Sequence, residues 1–115
     1  MSDSILGSVK KLLGSDDYFD QDLIIHINTV LNILTQIGVG PEEGFAIVDD
    51  TAVWADFLED SLLLNMVKTY VPLKVKLLFD SASDSSYYIE HLQQNCDQLE
   101  WRINAEVDYR RRASE

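Results

Sequence analysis

The stretch Asp20-Gln21-Asp22-Leu23-Ile24-Ile25-His26-Ile27-Asn28-Thr29-Val30-Leu31-Asn32-Ile33-Leu34-Thr35-Gln36-Ile37-Gly38 decides the fold class. On a helical wheel Leu23, Ile24, Ile27, Val30, Leu31, Leu34 and Ile37 share one broad face. Asn28, Thr29, Asn32, Thr35 and Gln36 share the other. This spacing predicts a helix over 20–37. Asp20 and Asp22 sit in its first turn, where negative charge favours the positive end of the helix dipole. Gly38-Val39-Gly40-Pro41 cannot continue it. Ile25 alone breaks the pattern and points into the polar arc, where an apolar side chain can serve a contact.

Working outward, the same period recurs on both sides. Ile5, Leu6, Val9, Leu12 and Leu13 predict a first helix over 3–13, capped by Asp3 or Ser4 and ended by Gly14. A polar turn over 15–20 follows. Segment 61–79 is apolar almost all round: Leu62, Met66, Tyr70, Leu73 and Leu77 form one side, and Leu64, Val71, Val75 and Phe79 much of the other. Such a helix is buried on most sides, and in so small a chain another subunit can supply part of that burial; Pro72 predicts a kink or a break just before it. The turn 80–83 leads to a long final helix over 84–107, capped by Ser83 or Asp84. In it Ile89, Leu92, Cys96, Leu99 and Ile103 form a coiled-coil-like seam, with Tyr87, Tyr88 and Trp101 outside it. The middle, 42–60, has no helical period. Phe45-Ala46-Ile47-Val48 and Ala52-Val53-Trp54, separated by Asp49-Asp50, read as a short hairpin that must lean on the helices or on a neighbouring chain. The expected class is mainly α: a four-helix bundle-like domain over 1–107 with an irregular or hairpin insertion between helices 2 and 3, a long C-terminal helix, and a basic, frayed tail over 108–115.

Composition agrees with one domain. The chain has 115 residues, 46% of them hydrophobic, which suffices for one core and argues against disorder. The apolar runs are too short and too interrupted for a membrane span. Met1-Ser2-Asp3-Ser4 lacks the basic-then-apolar pattern of a signal peptide, so the expectation is a chain kept in the cytoplasm of its cell. The formal net charge is −11 and unevenly spread. Residues 1–108 hold nineteen acids against six Lys and Arg, whereas residues 109–115 hold three arginines and one glutamate. An acidic body repels phosphates, which disfavours a sequence reader of nucleic acid and suits a surface that nucleic acid passes without sticking.

Signals for chemistry are sparse. Neither nucleotide-binding glycine motif is present, so no cofactor is expected. Cys96 is the only cysteine, which excludes an internal disulfide and a cysteine-cluster metal site; its place on an apolar seam reads as a buried, inert thiol. His26 and His91 have no partner at metal spacing, and His26 reads as a partly buried structural residue. The acid pairs Asp16-Asp17, Glu42-Glu43, Asp49-Asp50 and Glu59-Asp60 lie in turns or segment ends, where carboxylates are solvated rather than tuned for acid–base work. No enzyme is expected. Arg110-Arg111-Arg112 can bind an acidic partner surface or simply be solvated, and a basic tip on an acidic body suits one oriented contact.

Several local sequences together resemble the small head–tail connector proteins of tailed bacteriophages that infect Gram-positive bacteria. They are Ile5-Leu6-Gly7-Ser8-Val9-Lys10-Lys11-Leu12-Leu13-Gly14, Asp22-Leu23-Ile24-Ile25-His26-Ile27-Asn28 and Gln36-Ile37-Gly38-Val39-Gly40-Pro41. In order, there follow Trp54-Ala55-Asp56-Phe57-Leu58, Val67-Lys68-Thr69-Tyr70, Leu73-Lys74-Val75-Lys76-Leu77-Leu78-Phe79-Asp80 and Leu99-Glu100-Trp101-Arg102-Ile103-Asn104. The chain departs from the family pattern at Pro72, in the serine-rich stretch after Asp80 and in its basic tail. The resemblance implies a virion structural protein of the neck, made in the host cytoplasm. It implies a ring, usually of twelve subunits, that docks under the portal protein largely through the C-terminal helix and tail. The other face then receives a neck (stopper) or tail component, and DNA passes through the lumen without sequence-specific binding.

On that reading Trp101, Arg102, Arg110, Arg111 and Arg112 are the expected portal contact, and Glu42, Glu43, Asp49 and Asp50 the expected channel-facing acids. The competing reading is a small acidic regulatory module that presents carboxylates in place of DNA phosphates. It needs dense carboxylates on one exposed face, whereas here the acids cluster at segment ends.

Overall fold

The computed structural model describes residues 4–14, 17–59, 61–80 and 86–113. Among them are five α-helices: α1 (Ile5–Leu13), α2 (Asp20–Ile37), α3 (Trp54–Phe57), α4 (Ser61–Asp80) and α5 (Ser86–Ala113). A short 3-10 turn, Asp17–Phe19, leads into α2. The expected caps at Asp3, Ser83 and Asp84 and the turn over 81–83 lie outside the described residues. Ser4 caps α1, its Oγ accepting from the Gly7 N–H at 2.9 Å.

The architecture is organised by α4, which packs against α1, α2 and α5. Val67, Tyr70, Val71 and Val75 are fully buried, and Leu63 and Leu77 nearly so. The chain's own helices therefore cover most of this apolar helix, while Leu62 at its start stays 55% exposed. Pro72 is buried within it, and the helix runs unbroken from Ser61 to Asp80. The α2 stripe supplies the facing half of the core through Leu23, Ile27, Val30, Leu31 and Leu34, none of which is exposed. From α1 come Ile5, Leu6 and Val9. From α5 come Leu92, Cys96, Ile103 and Val107, with Ile89 and Leu99 half-buried beside them. The seam read from the sequence is thus the one that packs.

The final helix is longer than its apolar seam. With 28 residues it spans about 42 Å at 1.5 Å per residue, close to the 45 Å long dimension of the molecule. It does not stop at Val107 but carries the arginines as helical turns to Ala113. Two contacts at i,i+4 spacing support this extension, Arg110 Nε to Glu106 at 2.7 Å and Arg112 to Asp108 at 2.9 Å. Three arginines in the last turn also oppose the negative end of the helix dipole.

The hairpin is the expectation that fails. No strand occurs among the described residues; a single antiparallel bridge joins Ser4 to Val53, and the Ile5 N–H donates to the Ala52 carbonyl at 2.9 Å. Ala52 and Val53 pair with the start of α1 instead of with 45–48. The backbone of Ile47 turns to a side chain: its N–H donates to Asn28 Oδ1 at 2.8 Å, and its carbonyl accepts from Asn28 Nδ2 at 3.0 Å. One amide therefore does for Ile47 what a neighbouring strand would have done. Trp54 does not return as a strand but opens α3, where Asp56 Oδ2 accepts from the Val53 N–H at 3.0 Å.

Candidate assembly interface

Two surfaces hold the side chains singled out in the sequence. The first is the loop between α2 and α3, pinned at several points. Besides the Asn28 clamp, Trp54 Nε1–H donates to Ser8 Oγ at 3.1 Å, and Ser8 in turn donates to the Ser4 carbonyl at 2.8 Å. Ile47, Trp54 and Phe57 are buried, and the Phe45 and Phe57 rings lie 5.4 Å apart. Gly40 lets the chain enter this packing. Its φ is +84°, and a Cβ there would lie 2.6 Å from the Phe57 ring.

The four expected channel acids all lie exposed on this loop. Asp49 has its carboxyl held below the ordinary range, first by the Thr51 hydroxyl and then by the Thr51 N–H, which donates at 2.9 Å. Glu43 has a different setting. With Gly44, Phe45 and Ala46 it faces Asn28, Thr29 and Asn32 of α2 across an open groove of about 650 Å³. Ile25, on the same outer face of α2, and Val48, beside the clamp, are both largely exposed.

The second surface is the outer face of α5. The wheel sets Trp101, Ala105 and Arg112 opposite the buried seam, flanked by Arg102 and Tyr109. Trp101 is 72% exposed and Tyr109 70%, high for rings of that size. The expected portal set divides on this helix. Trp101 and Arg102 lie on its side, while Arg110 to Arg112 lie at its end. Arg110 is half-buried against Glu106. Arg111 and Val107 crowd Gly38: a Cβ there would lie 3.1 Å from Val107 Cγ1 and 3.2 Å from an Arg111 Nη. The α5 end is therefore positioned against the end of α2, with a guanidinium near the carbonyl-rich helix terminus that favours cations.

Inside, the polar groups are structural. Lys74 Nζ and Glu100 lie 3.4 Å apart between α4 and α5. Burial, then the Glu100 carboxylate, pushes the Tyr70 hydroxyl far above its ordinary pKa. Burial pushes the Cys96 thiol up to about 11, so the thiolate that would react is disfavoured. His26 is half-buried and stands edge-on to Phe79, 6.0 Å between ring centres. Among the described residues no group of His, Cys, Asp or Glu is placed to hold a metal, and no helix is long and apolar enough to cross a membrane.

The model of the phage connector protein family matches residues 5–110, from the start of α1 to the arginine-bearing end of α5. The chain belongs to this family. Comparisons with curated proteins and with solved structures return no match. This connector is therefore a structural protein of the bacteriophage head–tail joint, and membership implies a place in the virion neck and contact with portal and tail components. The match covers the pinned loop and the side of α5 that carries Trp101 and Arg102, and ends at Arg110.

Residues that sequence reasoning missed are those that hold the connector's loop. The wheel places Asn28 on the polar face of the second helix, and no sequence signal gives Ser8 a role of its own. Nothing in a wheel distinguishes a solvated Asn from one that clamps a backbone nineteen residues away.

Proposed function

We propose that the connector docks as a ring, of twelve subunits, beneath the portal of a DNA-filled capsid and joins it to the next neck or tail component. It does so by assembly and without catalysis, in a phage of a Gram-positive host, after synthesis in the host cytoplasm. The observation that carries this reading is the distribution of arginine. All four arginines of the chain lie on the distal part of α5, within an acidic molecule. Such a tip fits one oriented contact with an acidic partner surface. Arg110, Arg111 and Arg112 are its end, and Trp101 and Arg102 its approach.

The acidic loop supports the second half of the reading. A channel wall carrying Glu42, Glu43, Asp49 and Asp50 repels DNA phosphates, so DNA passes without being gripped. Electron microscopy of the chain mixed with its cognate portal tests the proposal. Added ring density under the portal is expected; a portal left bare overturns it. Deleting 108–115 should weaken docking, and full docking without those residues removes the tip from the contact. Charge reversal of the four loop acids should slow DNA release, and unchanged infectivity removes them from the channel.

A further inference from the structure

A charged pair lies in the packing of α5 on α4. Lys74 Nζ is 3.4 Å from a Glu100 carboxylate oxygen, and both side chains are half-buried. Tyr70, fully buried one turn before Lys74, is acted on by the same carboxylate. The core on either side is apolar: Val67, Val71 and Val75 on α4, and Leu92, Cys96 and Ile103 on α5.

Apolar packing by itself does not fix the height of one helix on the other. Let α5 slide by one turn, about 6 Å at 1.5 Å per residue, so that each place is filled by the residue four positions earlier. Leu92 then fills the place of Cys96, Leu99 that of Ile103, and Ile103 that of Val107. The seam stays apolar, with Tyr88 for Leu92 a change of bulk near the start of the helix. The slide fails at Lys74. Cys96 fills the place of Glu100, and a half-buried ammonium loses its carboxylate. A slide the other way is barred by the core itself, since Glu100 would enter the buried place of Cys96 and Arg111 that of Val107. The register also sets where the arginines stand. Val107 and Arg111 lie over Gly38 as placed; one turn on, Ile103 and Val107 would lie there.

We infer that Lys74 and Glu100 are positioning residues, which select the register of α5 on α4 and so the place at which the arginine end is held. The inference rests on the portal reading for its consequence, because that end is the one proposed to dock. A half-buried ion pair can select a register because it is satisfied at one height only, whereas apolar contacts re-form after a slide. Cys96 reports which register is occupied. It is wholly buried as placed, and after the slide it would stand where Glu100 now is, 30% exposed.

Thiol labelling of the full chain tests it. Lys74→Met keeps an unbranched side chain, removes the charge, and lets Glu100 move to the exposed place of Asn104. A pair that only adds stability predicts that Cys96 stays protected in this variant. Register selection predicts a urea midpoint near the parent's, Cys96 labelled by a small maleimide about tenfold faster in the native state, and weaker docking on the cognate portal. Glu100→Gln keeps the shape of its side chain and should move the same readouts in the same direction. Exchanging the charges, Lys74→Glu with Glu100→Lys, should return labelling and docking to the parent's. Parent-rate labelling in both single variants overturns the inference. So does fast labelling that the exchange leaves unchanged, or that comes with a lowered midpoint and equally fast hydrogen exchange at Val67. The portal reading fails separately. A parent chain that does not dock overturns that reading, while Cys96 still decides the register. Fast labelling with full docking retains the register selection and removes the arginine end from the contact.

Discussion

The loop between α2 and α3 and the last turns of α5 are the two parts of this connector with no apolar period of their own, and they are ordered in opposite ways. The loop abandons regular structure and gives its backbone groups to distant partners: Ile47 to the Asn28 side chain, and the Ala52 carbonyl to the backbone N–H of Ile5. It then buries Ile47, Trp54 and Phe57 in the common core. The end of α5 keeps its helix and buries little beyond Val107, relying on local pairs four residues apart. Order in the loop is therefore cooperative with the whole fold, and order at the arginine end is local. Mutations should separate the two.

Trp54→Ala should have the largest effect. It opens a cavity under the loop and removes the Ser8 bond, at about 3–5 kcal/mol. Urea unfolding should show a lower midpoint with an unchanged slope. A variant as stable as the parent would mean that the loop is not part of the core.

Asn28→Ala should come next. It leaves the Ile47 N–H and carbonyl without their partner, at about 1–3 kcal/mol. Hydrogen exchange at Ile47 should rise more than at Val67, which lies in α4. Equal changes at the two sites would show that the clamp holds the whole molecule and not the loop in particular.

Arg110→Ala should be the smallest. A surface pair of this kind contributes about 0.3–0.5 kcal/mol. The midpoint should barely move, while the helical signal falls slightly and only at low salt. A loss as large as that from Asn28→Ala would show that the arginine end is tied into the core through Gly38, and the contrast between the two regions would dissolve.

Much of the molecule is legible from residue spacing. A helix that buries one face must repeat its apolar residues every three or four positions, so 20–37 and the seam from Ile89 to Ile103 declare both their conformation and their inner side. The all-round apolar character of α4 likewise places it at the centre. The wheel already sets Trp101 outside the seam, and the arginine run is plain in the chain. The partners of backbone groups in the loop are not legible, because the competition between strand pairing and an Asn amide is settled by what stands opposite in space.

What the sequence by itself determined is the helical content, the inward faces, the central place of α4 and the concentration of arginine on an acidic chain. Each follows from periodicity or composition, which are local. Only the tertiary structure decided that Asn28 and the start of α1 replace a hairpin. It also decided that the arginine-bearing end of α5 lies against Gly38 at the end of α2. Those outcomes depend on distances between residues far apart in the chain, such as Ser8 and Trp54 or Gly38 and Val107, and no local pattern encodes them.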